Sequence, residues 1–179
     1  GNRDLLPELG YSADLGISSD LKLNNEDSNK ASNGRSGQWF EITGFYTNIS
    51  NWILWTPTGQ SWSPQNVKRV RNSGVEVSYR GSRSFNAFGL RHSLTINMCY
   101  SLIESKVLES EVVGDQGVGK SLIFIPKHNM KYNLEYQVMN WSLIFGQCLT
   151  GKVYLDAINE SYMPYYGPSY LIISKQIQG

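Results

Sequence analysis

Between Phe88 and Leu102 apolar and polar residues alternate with almost no error. The even positions read Phe88, Leu90, His92, Leu94, Ile96, Met98, Tyr100 and Leu102; the odd ones read Gly89, Arg91, Ser93, Thr95, Asn97, Cys99 and Ser101. From Lys127 to Val138 the split recurs, with Met130, Tyr132, Leu134, Tyr136 and Val138 set against Lys127, Asn129, Lys131, Asn133, Glu135 and Gln137. Side chains on a strand point alternately to its two faces, so both runs predict strands with one apolar and one polar face. Five further segments carry the same period: Tyr11 to Leu23, Phe40 to Thr47, Val75 to Arg80, Trp141 to Leu149 and Leu171 to Ile177. That makes seven strands and no helix. Strands in soluble proteins usually hold about 5–6 residues, whereas one crossing a bilayer at a tilt needs about 9–11. Runs of 15 (88–102) and 12 (127–138) residues therefore point to a membrane β-barrel.

The connections support that reading. Met139-Asn140 predicts a tight turn and Arg80–Asn86 a short one, while Trp52–Gln65, Glu109–Phe124 and Leu155–Pro168 are long, polar or aromatic loops. Short turns on one rim and long loops on the other are the habit of outer-membrane barrels. Asn24–Gly37 falls where a short turn belongs; rich in Asn, Ser, Lys and Gly, it predicts a solvated insertion. Alternation alone does not say which face is wet. A soluble lipocalin-like barrel, a binding module for a small apolar ligand, stays open as the alternative, with His92, Met98, Tyr132 and Tyr136 lining its cavity.

Composition narrows the function classes. The 179 residues carry 16 basic against 15 acidic side chains, net +1, so no electrostatic footprint for nucleic acid exists. Eleven Tyr and 5 Trp supply rings with an apolar body and a polar tip, suited to binding surfaces and membrane interfaces. No run of 18 apolar residues predicts a membrane helix, and Gly1-Asn2-Arg3-Asp4 does not read as a signal peptide. The expectation is an exported precursor that has lost its leader, or a piece of something longer. Cys99 and Cys148 offer no metal-ligand spacing; with one strand between them they lie about 9.5 Å apart, beyond disulfide reach, and are expected as free thiols.

Candidate chemistry is sparse. Gly114–Ser121 (GDQGVGKS) fits the phosphate-loop pattern G-x-x-x-x-G-K-[ST] letter for letter. That motif needs a following helix whose N-terminal amides meet the phosphates, but Leu122-Ile123-Phe124-Ile125-Pro126 favours strand and ends in proline. We expect a glycine-rich loop there. His92 and Ser93 point to opposite faces, so they form no nucleophile–base pair. His128, at a strand start, reads as an interface residue. Asn48-Ile49-Ser50, Asn140-Trp141-Ser142 and Asn159-Glu160-Ser161 match the glycosylation pattern, a frequent chance triplet. Lys68-Arg69-Val70-Arg71 reads as a solvated rim, or as a lure drawing an anionic ligand to a pore.

The order of these signals resembles the C-terminal half of the barrel in TonB-dependent outer-membrane receptors. Gly1-Asn2-Arg3-Asp4-Leu5-Leu6-Pro7-Glu8 is similar to the family's G-N-P-x-L-K-P-E box, departing at Arg3 and Leu6, and Asp14-Leu15-Gly16 stands where Glu-Leu-Gly is usual. Phe45 to Ile53 resembles the F-Y-x-x-x-x-D-x-I strand end, and Asn66 to Glu76 the segment ending in G-V-E. Ile125-Pro126-Lys127-His128 matches a P-[KR]-H strand start, Leu149 to Tyr154 resembles Y-x-G-x-x-Y, and Ser174-Lys175-Gln176 resembles a late strand end. Together these boxes cover almost the whole chain, with the flavour of cobalamin and iron-chelate receptors.

The resemblance implies an all-β, antiparallel segment of about seven meandering strands from a barrel of roughly 22. Residues 1–179 would be one region of that barrel, with the plug domain and last strands absent, because seven strands leave two open edges in lipid. It implies a transporter of the bacterial outer membrane, not an enzyme, with no cofactor, no metal and no catalytic residue. The expected partners are outer-membrane lipid, the remaining barrel and plug of the receptor, the TonB complex acting through that plug, and a small-molecule ligand. Glu41, Glu76, Arg80, Arg91, Asn133 and Glu135, with Asn97, Asn129, Lys131 and Gln137, would face the lumen and plug. On the long-loop rim Trp52, Trp55, Trp62, Tyr162, Tyr165 and Tyr166 are candidates for ligand contact or for an interfacial aromatic girdle, with Trp141 marking the opposite girdle.

Overall fold

The computed structural model describes residues 4–22, 37–58, 61–110 and 114–177. Nine strands form: β1 (Leu9–Lys22), β2 (Gly37–Thr58), β3 (Ser61–Ala87), β4 (Leu90–Glu109), β5 (His128–Val138), β6 (Trp141–Thr150), β7 (Val153–Tyr154), β8 (Tyr162–Met163) and β9 (Ser169–Lys175). Seven of them make one antiparallel sheet in the order β1-β2-β3-β4-β5-β6-β9, and β7-β8 is a small hairpin apart from it. Every neighbour in the large sheet is also the next long strand in sequence, the meander that short turns impose. β1 and β9 each keep one unpaired edge among the described residues, so these strands do not close a barrel.

Register brings the alternating apolar positions of neighbouring strands to one side. Leu21, Gln38, Gly81, Ile96, Leu134, Phe145 and Leu171 pair in one row across the sheet, and Ile17, Ile42, Val77, Tyr100, Met130 and Leu149 in another. On β4 this face stays apolar from His92 to Leu102, the 11 positions paired with β5, and turns charged at Glu104 and Lys106. Eleven residues at about 3.3 Å each, tilted by about 40–45°, rise about 26–28 Å, against an apolar belt of about 25 Å on an outer-membrane barrel. The face is not a core. Leu15 is 81% exposed, Ile17 71% and Ile173 63%, and the buried hydrophobics among the described residues are Val70, Leu122 and Val153, all beyond the belt. Such a face finds its apolar partner in lipid, and nothing here favours the closed, soluble cup.

Four expectations about boundaries need correction. Trp52–Gln65 is not a loop: β2 and β3 continue pairing up to Thr58↔Ser61, with the ladder skipping only Asn51 at φ 58. Pro57 and Pro64 disguise this, yet the ribbon is two-stranded there, so a missing N–H can face solvent. Arg80–Asn86 is not a turn but part of β3, paired residue by residue with Asn97 back to Arg91. Phe88 does not begin a strand; with Gly89 it forms the turn itself, both at positive φ (51° and 74°) as a type I′ hairpin requires. β9 also ends at Lys175, short of Ile177. Met139-Asn140 is the tight turn expected, with Met139 at φ 53. Asn24–Ser36 lies outside the described residues, and Gly37 opens β2.

Candidate functional site

The polar face is a hydrogen-bonded surface whose rows are set by register. Asp20, Trp39, Arg80, Asn97, Asn133, Gly146 and Tyr170 stand side by side across the seven strands. Arg80 Nε donates to Asn97 Oδ1 (2.8 Å) and Tyr170 O–H to Asn133 Oδ1 (2.6 Å). The Tyr170 ring lies across Gly146, where an added Cβ would stand 2.3 Å from the ring, so glycine is what lets the phenol reach Asn133. Toward the short-turn end Glu135 accepts from Gln137 Nε2 (2.6 Å) and Ser142 Oγ (3.4 Å). Toward the other end Glu41 accepts from Thr43 Oγ1 (3.2 Å) and Glu76 from Ser101 Oγ (3.4 Å). Arg91 stands beside Asn86, at the short-turn end of the same face. The expected lumenal residues thus share one face. Cys99, Lys131 and Cys148 follow one another across β4, β5 and β6, and both thiols are free.

The rim aromatics fall into two groups. Trp52, Trp55 and Trp62 ride on the β2–β3 ribbon; Tyr162, Tyr165 and Tyr166 belong to the segment between β6 and β9, across β4 and β5 from it. Trp55 and Trp62 share one face of the ribbon as diagonal neighbours (Trp55↔Pro64, Pro57↔Trp62), 59% and 61% exposed. Trp52 is eight residues past Gly44, the last position of the apolar belt on β2, hence about 20 Å beyond lipid. Tyr11 and Tyr46, stacked at 6.0 Å, stand at the top of the belt and Trp141 at the bottom, with Lys175 Nζ 5.1 Å over its ring. Alternation marks Tyr11 and Tyr46 as apolar-face residues, but their height needs the register.

Sequence reasoning missed how the long loops lock. The chain after β4 folds back on it: Gly119 N–H donates to Val107 C=O (2.8 Å), Val107 N–H to Lys120 C=O (3.1 Å) and Leu122 N–H to Ser105 C=O (3.2 Å). Asn159, at φ 64, then ties this loop to the next. Its Oδ1 accepts from Ser121 N–H (2.8 Å) and its Nδ2 donates to Ser121 C=O (3.0 Å). Asp156 holds the second loop by accepting the N–H groups of Ile158 (3.1 Å), Glu160 (3.0 Å) and Ser161. The Ser161 side-chain hydrogen bond, then these backbone N–H donors, set the Asp156 carboxyl below its ordinary pKa against a smaller opposing effect of desolvation. Lys152 is raised, first by its hydrogen bond with Tyr154, and its ammonium lies over the Tyr154 and Tyr162 rings (4.6 and 4.9 Å).

Two motif residues prove architectural. Asn66 Oδ1 accepts Leu6 N–H (2.9 Å) while its Nδ2 donates to the carbonyls of Leu6 (3.0 Å) and Asn51 (2.6 Å), and Glu8 Oε1 accepts Ile53 N–H (2.8 Å). The Pro-Glu box is thereby pinned to the ribbon.

Gly114–Ser121 forms turns without a helix after it, and exposed Lys120 is held there through its backbone. His92 is buried on the apolar face between Phe85 and Tyr136. Its Nε2 meets Ala87 C=O at 3.0 Å and Nδ1 meets Tyr136 O–H at 2.6 Å. Both ring nitrogens thus hold hydrogen bonds within the sheet. No group of three or more His, Cys, Asp or Glu is gathered among the described residues. Arg69 and Arg71 point to the lipid side of β3, in phase with Val75 and Val77, and so away from the lumen.

An open antiparallel sheet with a belt-high apolar face, a polar face behind it and long loops on one rim defines the wall of an outer-membrane barrel. A protein-family model, TonB dependent receptor-like, beta-barrel, matches residues 1–174, and the chain belongs to that family. The family is one of outer-membrane transporters. Among curated proteins none matches the chain.

Proposed function

We propose that this chain forms part of the barrel wall of an energised importer that brings a scarce nutrient, such as an iron chelate or cobalamin, into the periplasm of a bacterium. The observation that carries it is the register-aligned apolar face of about 26–28 Å backed by a hydrogen-bonded polar one. In this reading Glu41, Glu76, Arg80, Arg91, Asn133 and Glu135 meet the plug. All of these but Arg91 already hold a hydrogen-bonded wall partner, so their contacts to a plug exchange one polar partner for another when the plug is pulled. The TonB complex acts through the plug. Trp55 and Trp62, beyond the belt, and Tyr162, Tyr165 and Tyr166, opposite them across the rim, supply rings for an incoming ligand. The test is uptake of labelled iron chelates and cobalamin by cells carrying the receptor. Uptake should stop with an uncoupler and fall roughly tenfold in Trp55→Ala/Trp62→Ala, because both exposed indole rings are then missing from the ligand's path. Uptake indifferent to the uncoupler would make the protein a passive pore.

A further inference from the structure

At the top of the apolar belt the outer face carries an open groove of ≈ 630 Å³. Short side chains (Ala13, Gly44, Ser73) make it, between Leu15, Tyr46 and Leu102. Its lining comprises two neighbouring rows on the lipid side of the sheet, Leu15–Gly44–Val75–Leu102 and Ala13–Tyr46–Ser73–Glu104, plus Asp14, Phe45 and Gly74 of the row between them.

The charges sit directly above. Asn48, Arg71 and Lys106 form the next row outward, flanked by Arg69 and Glu109. Lys127 also lines the groove, and the Glu104 carboxylate sits in the field of Lys106, Arg71 and Lys127. Four cations thus stand against three carboxylates, Glu104, Glu109 and Asp14, which is also in the lining. Glu109 pairs with Arg69 (3.1 Å) and Glu104 with Lys106 (2.8 Å), leaving Arg71 and Lys127 without an ion-pair partner among the described residues. The Nε of Arg71 is enclosed yet meets no acceptor. An arginine whose enclosed Nε lacks an acceptor and whose charge has no ion-pair partner among the described residues, beside an apolar trough opening on lipid, is complementary to a phosphate carrying an acyl chain.

We propose that this groove seats an anionic lipid of the outer leaflet, one acyl chain lying over Gly44 and its phosphate on Arg71, Lys106 and Lys127. The inference rests on the outer-membrane placement above. Its test is native mass spectrometry of the receptor barrel containing this chain, offered lipid A, phosphatase-treated lipid A, or phosphatidylcholine. Lipid A should be retained in preference to both others. Arg71→Gln/Lys106→Gln should lower its retention about thirtyfold, two cations withdrawn from an anionic headgroup. Ala13→Leu and Ser73→Leu, which fill the trough with side chains a lipid-facing site tolerates, should each lower it without changing the unfolding temperature. Lys175→Gln, at the far rim, should leave it unchanged. Equal retention of treated and untreated lipid A, or no loss in the double variant, overturns the site while leaving the membrane placement standing. A barrel holding no lipid of any kind would instead overturn that placement.

Discussion

His92 and Gln147 stand on the face that meets lipid, where an unpaired polar group costs several kcal/mol, so each must be satisfied within the sheet. Gln147 accepts from Tyr132 O–H (2.6 Å) and donates to Gly167 C=O (3.3 Å); His92 is used at both ring nitrogens. His92→Ala should therefore destabilise the barrel by about 1–3 kcal/mol, the cost of leaving Tyr136 O–H or Ala87 C=O bare, and leave transport intact. Urea unfolding in bilayers measures the first and uptake the second; lost uptake with unchanged stability would assign His92 to chemistry instead. Asp156 acts at the other rim. Its pKa is lowered on folding, so its contribution is full above the unfolded value of about 3.9 and is lost as pH falls through the lower folded one. Hydrogen exchange at the amides of Glu160 and Ser161 should stay slow at pH 5 and accelerate only below about pH 4. In Asp156→Asn it should be fast throughout.

At the level of elements, alternation locates the strands because an open sheet between lipid and lumen imposes one rule on every position of the belt. Met98 and Tyr132 pair, as do Ile96 and Leu134, since a one-residue slip would turn one strand's apolar side to the lumen. The rule lapses beyond the belt. From Asn48 to Thr58 both faces are wet, so nothing in the pattern separates a two-stranded ribbon from a loop, and two prolines argue for the loop. The turn after β3 is hidden for a local reason: Arg83 and Gly81 interrupt the apolar run, although Gly81 is covered by Tyr79, whose hydroxyl is 2.5 Å and ring 3.0 Å from where its Cβ would be. The polar-face residues are legible from parity, whereas the loop lock of Asp156, Asn159 and Ser121 is not, since it joins residues by tertiary geometry alone. Spin labels at 91–102 check the pairing: Leu94, Ile96 and Met98 should be quenched by oxygen in lipid, Thr95 and Asn97 by a water-soluble nickel chelate. A shared response at odd and even positions would refute the two-faced strand.

For the whole molecule, strand direction follows from the two kinds of connection. Phe88-Gly89 and Met139-Asn140 lie at one end of the sheet, together with Lys22, Gly37 and Lys175; the ribbon, the 114–127 loop and the β7–β8 hairpin lie at the other. Barrels of this class keep short turns in the periplasm and long loops outside. Lysines report the orientation without any mutation. Lys120 and Lys152 are exposed on the long-loop side, and Lys175 is exposed on the short-turn side with the full belt between. A membrane-impermeant amine reagent added to intact cells should therefore modify Lys120 and Lys152 and spare Lys175. Lys175 should react once the outer membrane is permeabilised. Its modification should remain slower than that of Lys120, because the ammonium rests on the Trp141 ring, whereas exposed Lys120 is held through its backbone. Peptide mass mapping reads all three sites in one experiment, and Lys175 modified in intact cells alongside an unreactive Lys120 would invert the barrel.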